Sequence, residues 1–153
     1  APSSNQSLRR RQQLEPAMSF IYVSSPYTSP DQHMRHKRYL QACHYVASLF
    51  ANKKYCYSSV VNYHHFMNEF GVPHDANTWM AQNFAMLSSA KACHVLTLTG
   101  WQSDTLVLAE INFFRGAKQD FPLYFVDFNE AKTKKSLIGA RLNATSRLRQ
   151  QLA

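Results

Sequence analysis

Glycine is scarce in this 153-residue chain, with four in all, and none stands in a G-x-G-x-x-G or G-x-x-x-x-G-K-[ST] arrangement. The common phosphate-cradling loops are therefore missing, which removes dinucleotide-binding and P-loop readings. Long apolar runs are missing as well: stretches such as Val95–Leu98 and Leu106–Ala109 are four residues long, against about 20 for a membrane-spanning helix. Cysteine is limited to Cys43, Cys56 and Cys93, an odd number, far apart and without a C-x-x-C pair. That usage predicts reduced, buried thiols in a cytoplasmic protein and excludes a zinc-ribbon pattern.

Acidic residues are also few, nine against 17 Lys and Arg, for a formal net charge of +8. The excess lies at the ends. Residues 1–17 carry +2 through Arg9, Arg10, Arg11 and Glu15, and residues 129–153 carry +5, whereas residues 18–128 hold eight basic and seven acidic groups. The central segment is nearly neutral, so the charge is not the footprint of a nucleic-acid-binding body. Residues 1–17 lack aromatic residues and periodicity and are expected to form a disordered basic arm or extension, with no apolar stretch after the arginines to make a secretory signal. Residues 129–153 combine Lys132, Lys134, Lys135, Arg141, Arg147 and Arg149 with Leu137, Ile138, Leu142 and Leu148. This predicts a basic amphipathic helix that packs on its own domain or on a partner subunit. Phosphate tracking by its cations is the weaker alternative, because no aromatics are interleaved for base stacking.

What is present is 45% hydrophobic and 13% aromatic side chains, on a chain long enough to bury roughly 70% of the surface it exposes unfolded. Strand-like runs at Phe20–Ser24, Tyr55–Ser59, His94–Thr99 and Pro122–Asp127 alternate with helical patterns. The helices are expected from Asp31 to about Asn52, from Asn62 to Phe70 with a stop at Gly71-Val72-Pro73, from an Asp75 or Asn77 cap to about Ala90, and from Asp104 to Gly116. Alternation without a hairpin predicts an α/β fold, a parallel sheet of four to five strands between two helical layers. Ligands in such sheets bind at the carboxyl ends of the strands.

Glu110 is the most informative residue. Leu106, Val107, Phe113 and Phe114 lie three and four positions away, so this carboxylate sits in the middle of an apolar helical stripe, where burial raises its pKa. It is either a carboxylate at the stripe's edge paired with a distant cation, or a nucleophile or general base near a strand-to-helix loop. Asp104, six residues earlier, is an N-cap candidate. The seven histidines do not form a metal motif: His64 and His65 are adjacent, and His33 and His36 are interleaved with Arg35, Lys37 and Arg38, so no metal site is expected. Ser24 and Ser25 end a strand without a G-x-S-x-G elbow, which argues against a serine hydrolase.

The run Ile21-Tyr22-Val23-Ser24-Ser25-Pro26-Tyr27, the segment Tyr57-Ser58-Ser59 followed by His64, the stretch Gly71-Val72-Pro73-x-Asp75-x-x-x-Trp79, and Gly100-Trp101 ahead of Glu110 together resemble the nucleoside 2-deoxyribosyltransferase-like superfamily. Within it, they are most similar to small bacterial and phage members. The resemblance spans about residues 19–127 in order and spacing. It implies a flavodoxin-like (Rossmann-like) fold, no cofactor, a homo-oligomer, and an enzyme that cleaves the N-glycosidic bond of a nucleoside or nucleotide as a hydrolase or transferase. Glu110 falls on the catalytic glutamate that forms a covalent glycosyl intermediate.

By the same resemblance Tyr27 orients that carboxylate or the sugar, and Asp104 holds a sugar hydroxyl. Asn83 and Asp75 contact the base, and Trp79 or Trp101 stacks on it or else packs in the core. Ser25, Pro26, Ser58, His64, Gly100 and Ser103 complete the expected substrate-binding set. Asp104 stands where related nucleotide hydrolases carry a serine, which favours an uncharged nucleoside over a monophosphate; Ser103 is one position out of register. Asn83 replaces a customary aspartate that assists base departure and, as an amide, delivers no proton. Leu106 replaces a glycine, and Lys91 stands where an acidic residue often precedes the third strand. These departures leave open a second class, a binding protein for a nucleotide-derived ligand with little turnover.

Overall fold

Short β-branched and aromatic runs separated by capped helical stretches produce a three-layer α/β architecture. The computed structural model describes residues 19–127, together with Gln150. The arm at 1–17 and, Gln150 apart, the helix expected at 129–153 lie outside the described residues. Strand β1 (Ile21–Ser24) leads to helix α1 (Gln32–Ala51), and β2 (Cys56–Tyr57) to α2 (Ser59–Phe70) and α3 (Ala76–Ser88). Strand β3 (Ala92–Leu96) leads through a 3-10 turn at Trp101–Ser103 to α4 (Thr105–Ala117), and β4 (Leu123–Val126) closes the described sheet. All pairings are parallel, in the order β2-β1-β3-β4, the arrangement of a flavodoxin-like sheet.

The two-residue period of the strands sorts the core. Ile21 and Val23 of β1 pack with Ala42, Val46 and Leu49 of α1 and with Val60 and Met67 of α2. Tyr22, Cys93 and Val95 face the other way, onto Leu87 of α3 and Val107, Ile111 and Phe114 of α4. Burial on both sheet faces explains the near-continuous apolar strands.

Helices α1 to α4 each start on a side-chain cap: Asp31, Ser58, Asp75 and Asp104 accept from the backbone N–H of His33, Val61, Thr78 and Val107 at 2.9, 3.2, 3.2 and 2.9 Å. Such caps satisfy N–H groups that the first helical turn leaves unpaired. Gly71 ends α2 in the left-handed region at φ 65, where a Cβ would be strained.

Three expected boundaries move. Ser58 caps α2 rather than extending the second strand, so α2 begins at Ser59 instead of Asn62. The third strand runs from Ala92 to Leu96 rather than from His94 to Thr99, because pairing with β1 starts opposite Ile21. Gly116 does not stop α4, which continues to Ala117 with the Lys118 N–H bonded to the Phe114 carbonyl at 2.8 Å. No helix among the described residues is long and apolar enough to cross a membrane.

Candidate functional site

Helix α4 buries Val107, Ile111 and Phe114 against the sheet, and Glu110 lies on the same face, 2% exposed. Tyr22 and Ser24, two residues apart on β1, present their hydroxyls to that face. Tyr22 donates to Glu110 Oε2, and Ser24 donates to Oε1 at 3.1 Å. Both oxygens of the carboxylate are thereby held from one strand. Burial pushes the Glu110 carboxyl up to about 8; the two hydroxyl donors oppose that rise, and the nearby Asp104 carboxylate adds to it. The Tyr22 phenol is raised well above its usual value by its own burial and by the Glu110 charge.

Glu110 forms part of a narrow cleft of about 30 Å3 beyond the end of β1, whose walls include Ser25, Tyr27, Ser59, Trp79 and Asp104. Leu106 and Thr28 also reach it. An open recess of about 390 Å3 shares Thr28, Asp104 and Leu106 with the cleft and extends to Asp75. The cleft therefore combines two carboxylates, hydroxyls and an aromatic wall.

The residues singled out in the sequence sort into three groups. In the cleft, Ser25 is buried with its Oγ unpaired. Trp79 is fixed by an Nε1–H bond to the Pro73 carbonyl at 2.7 Å and by Tyr63 with ring centroids 5.0 Å apart. Asp104 accepts from the Val107 N–H through Oδ1 and from the Tyr27 N–H through Oδ2, at 2.9 and 3.3 Å. The cap therefore also ties the β1 loop to α4.

A second group supports the cleft. Tyr27 lines it, but its hydroxyl pairs with His64 Nδ1 at 2.7 Å. Of the two roles expected of Tyr27, orienting the Glu110 carboxylate or the sugar, the first belongs to Tyr22 and Ser24. His64 is buried and stacked on Tyr39 at 4.1 Å, and burial, with His65, His36 and Arg35 nearby, lowers its pKa to about 4. It is a neutral ring at pH 7. Asn83, expected against the base, has no exposed surface and donates through Nδ2 to Ser59 Oγ at 3.3 Å; Ser59 is the one that faces the cleft. Pro26 is fully buried, and Ser58 serves as the α2 cap. Gly100, at φ 89, lets Arg38 approach: a Cβ there would stand 3.0 Å from Arg38 Nη2.

A third group lies apart from Glu110. Asp75 caps α3 from an exposed position on the recess, and its carboxyl is held below its ordinary value mainly by the Thr78 hydroxyl, 2.6 Å away. Ser103 is exposed on the recess and donates to the Gly100 carbonyl at 3.1 Å. Trp101 packs on Phe125 at 5.4 Å.

Sequence reasoning missed Tyr22, Ser24 and Ser59 as a set, and it missed Arg38. The guanidinium of Arg38 donates to the Thr28 carbonyl at 2.9 Å and the Thr99 carbonyl at 3.1 Å, stapling the loops after β1 and β3. The period of β1 placed Tyr22 and Ser24 on one face, a usable signal; nothing in the sequence marked Arg38. Among the described residues, no group of three or more His, Cys, Asp or Glu side chains is arranged to hold a metal ion.

No curated protein matches this chain. The family described as a domain of unknown function, DUF1937, matches residues 19–125, a span that runs from the start of β1 into β4 and contains Tyr22, Ser24, Asp104 and Glu110. The chain belongs to the DUF1937 family.

Proposed function

We propose that this protein cleaves the N-glycosidic bond of a nucleoside or nucleotide, with Glu110 as the nucleophile. The observation that carries the reading is a fully buried carboxylate in the wall of a cleft, with both oxygens aligned by the Tyr22 and Ser24 hydroxyls. In the first step a Glu110 oxygen forms a bond to the anomeric carbon as the carbon–nitrogen bond breaks. The base leaves with that electron pair and takes a proton from water. In the second step water, or a second base, attacks the same carbon and releases Glu110. Hydroxyl donors placed beforehand favour the ionised carboxylate and fix its angle of approach. Asp104 accepts from a sugar hydroxyl, and Trp79 offers the base a flat apolar wall.

A specific observation favours a second reading. Leu106 projects into the cleft, and Asn83 is turned to Ser59 and supplies no acid to a leaving base. A site so built suits a binding protein for a nucleotide-derived ligand.

The two readings separate on one panel. Purine and pyrimidine nucleosides, with ribose and deoxyribose, and their 5'-monophosphates are assayed for base release and, in parallel, for saturable binding. Base release from any member supports the glycosidase, whereas binding without release supports the binding protein. The cytoplasmic, homo-oligomeric state expected from the thiols and the resemblance belongs to the same proposal, and a monomer mass that does not change with concentration would count against the oligomer.

A further inference from the structure

We infer that Leu106 is a gate between two compartments of one site: a wide outer recess that receives the bulk of the ligand, and a narrow inner cleft in which the ligand's reacting edge meets Glu110. The functional meaning of the gate rests on the proposed role of Glu110, whereas the gate itself follows from the shape of the site.

The two compartments differ in size and in exposure. The cleft at Glu110 offers about 30 Å3 and the recess about 390 Å3. One water takes roughly 10–15 Å3 by the same measure, so the cleft as it stands holds about two waters and no sugar ring. A nucleoside therefore reaches Glu110 only when the cleft widens. Thr28 is the one exposed residue among the described residues that line the cleft; the others are buried or half-buried. Thr28 also lines the recess, which makes the recess the mouth through which solvent and ligand arrive.

The neck between the compartments is formed by the residues common to both, Thr28, Asp104 and Leu106. Two of them are fastened. The Thr28 hydroxyl donates to the His74 carbonyl at 2.6 Å, and Asp104 accepts from the Val107 and Tyr27 N–H groups. Moving either breaks hydrogen bonds, and moving Asp104 also uncaps α4. Leu106 has no polar side-chain atom to fasten. It is half-buried and held by packing against the cluster that contains Tyr27, Met67 and Trp79. As the second residue of α4 it has no complete helical turn before it, so the crowding that restricts side-chain rotamers inside a helix is relaxed. Swinging Leu106 aside breaks no hydrogen bond and joins the cleft to the recess. While it is closed, Leu106 keeps bulk water from Glu110; when the ligand fills the recess, the ligand's own surface takes over that exclusion.

Access to Glu110 is read in the ligand-free full chain. A water-soluble carbodiimide adds to carboxyl groups and glycinamide traps the adduct as an amide. Labelling at Glu110 is followed by peptide mass spectrometry at pH 6, where this carboxyl, raised to about 8, keeps its proton. A gate open for a small share of the time slows labelling in proportion, so Leu106→Ala should label Glu110 at least roughly tenfold faster than wild type. Leu106→Met, which keeps the bulk, should label like wild type. Amide hydrogen exchange in β3, a central strand, reports general loosening of the fold. Faster labelling with β3 exchange unchanged supports the gate. Labelling at the wild-type rate in a folded Leu106→Ala protein overturns it, as does an acceleration matched by an equal acceleration of β3 exchange. If Leu106→Ala does not fold, Leu106→Val replaces it, with a smaller acceleration expected and wild-type labelling again contradicting the gate. Because no nucleoside is used, a failure of base release on the nucleoside panel and a failure of this labelling are separate outcomes.

Discussion

The hydroxyl of Tyr22 donates to the carboxylate of Glu110 across 88 residues of sequence, joining β1 to the buried face of α4. Tyr22 has no exposed surface, so the bond is shielded from water on the strand side. Replacing Tyr22 by Phe keeps the ring and its packing while removing the donor. We expect at least a tenfold loss of base release at pH 7, in line with the loss of one preorganised donor, and an alkaline displacement of the acid limb of the pH profile. Circular dichroism should show the fold intact. An unchanged profile would show that Tyr22 does not tune Glu110.

The pH dependence of turnover follows from the carboxyl near 8. A nucleophile must be ionised, so kcat/KM should rise about tenfold per pH unit below that value and level off above it. A rate that falls as pH rises through the same range would assign Glu110 the role of an acid instead.

Stability should run in the opposite direction. The Glu110 carboxyl is raised in the fold from its ordinary 4.5 to about 8. Between those values the folded chain retains a proton that the unfolded chain releases, so this group's contribution falls as pH rises through the window. At about 1.4 kcal/mol per pH unit of separation, the loss amounts to several kcal/mol. Urea unfolding at pH 5 and pH 9 should show Glu110→Gln close to wild type at the lower pH and more stable than wild type at the higher one. Equal stability at both would mean that the buried charge is better compensated than its surroundings indicate.

Much of the fold was legible because burial on both sheet faces gives apolar strands, and because Asp31, Asp75 and Asp104 are residues that cap helices. The second strand was over-read because Ser58, also a capping residue, follows directly on Tyr57 and leaves a strand of only two residues. The site was legible in part. Glu110 stood out as a carboxylate inside an apolar stripe, a local pattern. Its partners did not, because the meeting of Tyr22 and Ser24 with Glu110 depends on how α4 lies across the sheet, which no spacing within either segment encodes. For the same reason Asn83, which sequence reasoning set against a base, is found behind Ser59.

Gly100 offers a test of the loop framework. Its φ of 89 is strained for any residue with a Cβ, and the added atom would also press on Arg38 Nη2 at 3.0 Å. Gly100→Ala should destabilise the chain by about 1–2 kcal/mol. Most of this is backbone strain, since the Arg38 tip can shift. Thermal or urea unfolding checks it, and a neutral substitution would mean that the loop relaxes freely.

The role of Glu110 as a nucleophile is the claim on which the rest depends. It is tested most directly by the rate of base release, on whichever nucleoside the wild type cleaves, in Glu110→Ala compared with wild type at pH 8. The account predicts a loss of at least roughly 10^3-fold, as for removal of an attacking group, with the fold preserved; release at the wild-type rate would contradict it.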